Sequence, residues 1–209
     1  MAGVITALQQ QKHNAERVNV FVDDAYAFAV SLDAATYLRK GQVLDDAEIE
    51  LLQHDDTHEQ AYQKALHYLG ARPRSIAEVE RSLRDKGCAD DAIAAALQRL
   101  VDHHYLDDDE FAAFWLENRN RFRPRSAAAI RQELRQKGVD REIIDSTLKD
   151  LNEDDAAWAA ATSKIDRWQA LPKAEFEHKL TGLLARRGFG FDTVRRTVRR
   201  AWEQVNEDA

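Results

Sequence analysis

The chain has 209 residues, 44% apolar and 32% charged, with only 8 glycines and 3 prolines. A charged fraction above the ~25% of a typical soluble chain, with so few helix breakers, describes a packed helical protein. The single cysteine, Cys88, excludes an internal disulfide and suits a reducing compartment. No stretch approaches the ~18 apolar residues of a membrane span. Residues 1–11 show no apolar run behind a basic start, so neither a span nor a secretory leader is expected, and the expected location is the cytoplasm. Residues 1–60 hold 4 Lys/Arg against 11 Asp/Glu, so the net charge of −7 lies wholly there. The balanced remainder leaves room for a locally basic face.

In chain order, Val4-Ile5-Thr6-Ala7-Leu8 is β-prone, and Val18, Val20 and Val22 alternate along the next run. Asp23-Asp24 separates this run from Ala25–Val30, which predicts a hairpin around two residues that tolerate positive φ. A small antiparallel sheet of two or three strands is expected, packed on helix. Two short helices are expected next: one capped by Ser31 and stopped at Gly41, the other capped by Asp45 with Glu48 completing a capping box.

From about residue 57 the pattern is helical and repetitive. An offset of 51 carries Arg72-Pro73-Arg74-Ser75 onto Arg123-Pro124-Arg125-Ser126, and Leu83–Gly87 onto Leu134–Gly138. An offset of 50 continues to Leu184–Gly188. Three copies predict a repeat array. Each copy has a first helix (near 57–70, 108–121 and 154–169) and a second with buried pairs Val79/Leu83, Ile130/Leu134 and Leu180/Leu184. Ser75 and Ser126 are expected N-caps. Gly87, Gly138 and Gly188 are expected to close the second helices in the left-handed conformation. Third helices are expected to start at Asp90 or Asp91, Asp140 and Asp192, and to bury Ile93/Leu97/Leu100, Ile144/Leu148/Leu151 and Val194/Val198/Ala201. The expected fold is mainly α: a tandem array of three three-helix, helix-turn-helix-like repeats (57–106, 107–153, 154–209) behind a small N-terminal sheet with short helices (1–56).

Several passages resemble the RecX family of recombination regulators. Ala65-Leu66-His67-Tyr68-Leu69-Gly70-Ala71-Arg72-Pro73-Arg74-Ser75 is similar to the entry into that family's first repeat. Leu83–Gly87 and Leu134–Gly138 resemble its Leu-x-x-Lys-Gly element, and Tyr105–Ala112 its Gly-Tyr-Leu-Asn/Asp-Asp-x-x-Phe-Ala junction. Val18–Leu32 resembles the N-terminal hairpin of its longer members. Two departures stand out: His104 occupies the usual glycine of the junction, and the third copy reads Arg187-Gly188 with no Arg-Pro-Arg-Ser. The resemblance implies binding to the RecA recombinase, chiefly as a filament on single-stranded DNA. It implies that the protein lies in the filament groove and limits filament growth, ATP hydrolysis, strand exchange and the DNA-damage response. A monomer without enzymatic activity or cofactor, with weak direct affinity for DNA, is expected.

The candidate contacts for RecA or DNA are basic. Residues 119–141 hold Arg119, Arg121, Arg123, Arg125, Arg131, Arg135, Lys137 and Arg141 against Glu133 and Asp140. Arg121, Arg123, Arg125, Arg131 and Arg135 are the expected contacts there, weighed against a merely solvated helix face. Arg72 and Arg74 join them from the first copy. Arg186, Arg187, Arg195, Arg196 and Arg199, with Arg200, form the C-terminal cluster, whose last four repeat at i, i+4. No metal is expected: His103-His104 with Asp107–Asp109, and His54 with His58, each lack a full ligand set. The acidic run reads as a helix N-terminus. Cys88 aligns with Val139 and Phe189 and reads as a packed hydrophobe; Trp115, Trp158, Trp168 and Trp202 read mostly as packing between repeats. A direct DNA-binding array is the competing reading. Third helices beginning Ala92-Ile93, Glu142-Ile143 and Thr193-Val194 offer base edges little.

Overall fold

The computed structural model describes residues 3–207. It forms two compact units, one of Met1–Arg72 with Val79–Leu106 and one of Pro73–Glu78 with Asp107–Ala209.

The first unit opens with an antiparallel sheet of four strands, one more than the sequence predicts: β1 Gly3–Gln11, β2 Asn14–Val22, β3 Ala25–Ser31 and β4 Val43–Leu44, in the order β3-β2-β1-β4. The fourth strand has two residues, too few for any periodicity to reveal. Asp23 and Asp24 adopt φ of 49° and 63°, the left-handed pair required by a two-residue hairpin whose twist matches its strands. The alternation in β2 turns Val18, Val20 and Val22 inward, where they meet Ile5, Phe28, Val30, Leu38 and Leu44.

Ser31 caps a helix, α1 Leu32–Ala35, of only four residues, which ends well before Gly41. Asp45 and Glu48 form the expected capping box. The helix they start, however, is not short: α2 runs unbroken over Asp46–Leu69 and includes the expected first helix of the first repeat. No glycine or proline lies between residues 46 and 69 to stop it. Arg17 of β2 forms an ion pair with the buried Asp56 of α2. Gln60 Nε2 also donates to that carboxylate at 2.7 Å, so the buried charge is satisfied where the sheet meets the helix.

The repeats follow as α3 Ile76–Asp85 and α4 Asp90–Asp102; α5 Asp108–Phe122, α6 Ala127–Gln136 and α7 Arg141–Leu148; and α8 Glu153–Trp168, α9 Lys173–Arg186 and α10 Phe191–Glu207. Gly87, Gly138 and Gly188 have φ of 71°, 80° and 88°, as expected of residues closing the second helices. The predicted second-helix pairs are all buried, as are Ile93, Leu100, Ile144, Leu148, Val194, Val198 and Ala201. Leu97 is half-buried, and Leu151 lies beyond the end of α7. The third helices start at or within one residue of the expected positions: α4 starts at Asp90, Asp140 is the N-cap of α7 but makes no capping hydrogen bond, and α10 starts at Phe191, one residue before Asp192. Asp107 does cap α5, accepting from the N–H groups of Asp109 and Glu110. His104 has φ of 57°, so the junction demands a left-handed residue, the conformation glycine adopts at least cost.

Candidate functional site

The second unit contains a joint used twice. Ser75 Oγ accepts from Glu78 N at 3.2 Å and donates to the Lys137 carbonyl at 2.6 Å. Lys137 Nζ reaches Glu78 Oε1 at 2.7 Å. Asp108 Oδ1 accepts from Ile76 N at 3.0 Å. One repeat later, Ser126 Oγ accepts from Ala129 N at 3.1 Å, and Ser126 N donates to the Arg187 carbonyl at 3.2 Å. Glu153 Oε1 accepts from Ala127 N at 2.6 Å. In both cases the second helix of one copy has orphan N–H groups at its start. An acidic residue of the next copy accepts from one of them. The cation-glycine pair of that next copy seats against the same end. The recurrence of Arg-Pro-Arg-Ser and Lys-Gly therefore has a mechanical cause.

This joint brings basic residues together. Arg187 Nη1 donates to the Pro124 carbonyl at 3.0 Å. Burial, then the nearby Arg123, Arg125 and Arg119, push its guanidinium below the ordinary arginine range. The two sequence clusters thus converge: Arg187 of the third copy stands among arginines of the second. Behind them lies Glu133, 15% exposed, which receives Arg119 Nε at 2.7 Å, Arg125 Nη1 at 2.8 Å and the Trp115 indole N–H at 2.7 Å. Arg119 and Lys137 also lie 4.5 and 4.7 Å from the Trp115 ring centre. Glu133 and Trp115 were not among the predicted site residues, because an acid within a basic run reads as dilution rather than as its anchor. Glu133→Gln is expected to lower the stability of the second unit by about 1–2 kcal/mol, discounted for partial exposure. Urea unfolding measures this, and an unchanged midpoint would show that the cluster is held by other means.

The remaining candidates fall into groups. Arg121 and Arg123 are exposed at the end of α5, Arg135 at the end of α6 and Arg186 at the end of α9. Arg131 is engaged by Asp145 at 3.1 Å, and that guanidinium holds the Asp145 carboxyl below the usual range. Arg72 and Arg74 are half-buried and fall in different units. Along α10 the basic stripe divides. Arg195 and Arg199 stand 71% and 77% exposed with loose partners, while Arg196 pairs with Asp154 at 2.6 Å. Arg200 lies 3.8 Å over the Trp158 ring. The tryptophans correct a further expectation. Trp158, Trp168 and Trp202 pack against the core of the third repeat, and Trp115 against that of the second, so they serve cores within repeats. Cys88 is half-buried, 3.7 Å from Lys64 Nζ, whereas Val139 and Phe189 are buried.

A unit built on a β-sheet, and three-helix repeats with a basic cluster at the joint of the second and third copies, define a modular protein. Family models described as the regulatory protein RecX N-terminal domain, the RecX first three-helix domain and the RecX second three-helix domain match residues 3–45, 61–100 and 107–148. Regulatory protein RecX of Bacillus licheniformis is 37% identical over 195 residues, covering 91% of this chain and 74% of that protein. The Bacillus subtilis protein of the same name is 32% identical over 209 residues, covering 98% and 79%. A crystal structure of regulatory protein RecX superposes with a TM-score of 0.69 at 25% identity, covering 93% of this chain and 98% of that one. RecX from Lactobacillus salivarius, at 22% identity and a TM-score of 0.59 over 72% of this chain and 99% of that one, shares the fold. The chain belongs to the RecX family of regulatory proteins. Among the described residues, no helix is long and apolar enough to cross a membrane.

Proposed function

We propose that the chain binds the RecA recombinase, chiefly as its filament on single-stranded DNA, and restrains filament growth, ATP hydrolysis and strand exchange in the cytoplasm. Membership of a family of regulatory proteins supports the regulatory part of this reading. The convergence of Arg119, Arg123, Arg125 and Arg187 at one joint carries the rest. It concentrates positive charge where an acidic protein groove or a phosphate backbone would meet it. The proposed contacts are exposed cations: Arg121 and Arg123 at the end of α5, Arg135 at the end of α6, Arg186 at the end of α9, and Arg195 and Arg199 on α10. Direct, sequence-specific DNA reading is disfavoured. The first turns of the third helices carry Asp90 and Asp91, Glu142 and Asp192, which repel phosphates where a recognition helix would enter the groove.

The deciding experiment is the single-strand-dependent ATPase of RecA from the same source, with this protein at substoichiometric amounts. The rate is expected to fall. An unchanged rate, with binding to DNA alone that weakens steeply with salt, would replace this reading with the DNA-binding one.

A further inference from the structure

The first unit holds a cluster that the basic surface does not use. His54 and His58 stand one turn apart on α2, their ring centres 4.1 Å apart. The sequence shows this pair but not its third member. Asp91, in the first turn of α4, points its Oδ2 between them, 3.3 Å from His54 Nε2 and 3.2 Å from His58 Nε2. One donor atom from each residue lies within 4.8 Å of the others.

We propose that His54, His58 and Asp91 form a binding site for a divalent transition-metal ion of the zinc class, joining α2 to α4. Ligands about 2.0–2.1 Å from a tetrahedral ion lie about 3.4 Å from one another. The two imidazole–carboxylate separations match such an edge and the donor atoms all lie within 4.8 Å of one another, so side-chain adjustments close the site. Two imidazoles and one carboxylate suit Zn2+, Co2+ or Ni2+, and not Mg2+ or Ca2+, which take mainly oxygen ligands. His54 and Asp91 are 54% and 60% exposed, so the fourth position opens to solvent and takes water or a partner's ligand. The bound ion cross-links the helix that begins the first repeat to the helix that ends it. The proposal departs from the sequence-based expectation of no metal, because the third ligand lies 33 residues from His58 and on another helix.

The test is calorimetric titration of Zn2+ into the full chain freed of any affinity tag, with Co2+ absorption reporting the coordination number. One ion per chain is expected. His58→Ala and Asp91→Asn are each expected to weaken binding by about tenfold or more, and to abolish the metal-induced rise in melting temperature. The double variant His103→Ala/His104→Ala is expected to bind as the parent does. All substitutions are at solvent-accessible side chains, and circular dichroism checks that each variant is folded. Absence of binding at millimolar Zn2+, or an affinity in His58→Ala and Asp91→Asn no weaker than the parent's, would overturn the proposal.

Discussion

Gly138→Ala is expected to destabilise the protein by about 3 kcal/mol, while Gly87→Ala, in the same motif, costs only about 1 kcal/mol. Both glycines hold a left-handed φ, 80° and 71°, so both substitutions carry the same backbone strain of about 1–2 kcal/mol. Their surroundings differ. A Cβ on Gly138 would stand 2.4 Å from the Ala77 Cβ, whereas one on Gly87 meets nothing within 4 Å. Relieving the clash means opening the joint at Ser75, with loss of the bond from its hydroxyl to the Lys137 carbonyl. Gly188→Ala belongs with Gly138→Ala, since its Cβ would meet Ser126 Oγ at 2.8 Å and Ala129 Cβ at 2.9 Å. Urea midpoints of the three variants give the ranking. Equal losses at Gly87 and Gly138 would show that the glycine serves helix closure alone and that the joint contributes nothing.

The double variant Arg121→Glu/Arg123→Glu is expected to weaken binding to RecA filaments by about 30-fold or more, at roughly 1 kcal/mol per reversed charge. Both side chains are exposed, and neither takes part in the Glu133 clamp, so the unfolding midpoint stays where it is. Measured by filament-binding anisotropy, the defect shrinks as salt screens the remaining charges. Unchanged affinity with intact fold would remove this face from the proposed function. Arg125 and Arg131 are poorer probes. Reversal at Arg125 places two acids against each other at Glu133, and reversal at Arg131 does the same at Asp145. A binding loss there would mix with a folding loss.

The parts of this molecule that were readable in advance are those with a local physical cause. The Asp23-Asp24 turn, the Asp45/Glu48 capping box, the serine caps and the left-handed glycines each depend on a few neighbouring residues, and each stands where the sequence places it. The three-copy register was readable because the same contacts recur. What escaped was set by distance or by the absence of a signal. Two-residue β4 has no period, and α2 passed through a supposed boundary because only a breaker marks one. The role of Glu133 needs the fold to bring Trp115, Arg119 and Arg125 onto one carboxylate. Of the basic candidates, the sequence could list charges but could not separate Arg131, already held by Asp145, from the exposed Arg121 and Arg123.

The joints also give the array a direction. Each consists of a socket, the serine-capped start of a second helix, and a plug, the cation-glycine pair of the following copy. The first copy supplies the socket at Ser75, and a Cβ placed on Gly87, the glycine of its own plug, would meet nothing within 4 Å. The third supplies the plug at Gly188, but its second helix starts at Pro172, which has no side chain to cap it. Only the middle copy has both Ser126 and a seated Gly138. A duplicated middle copy would therefore bring both halves of the joint with it, which neither of the other two copies would.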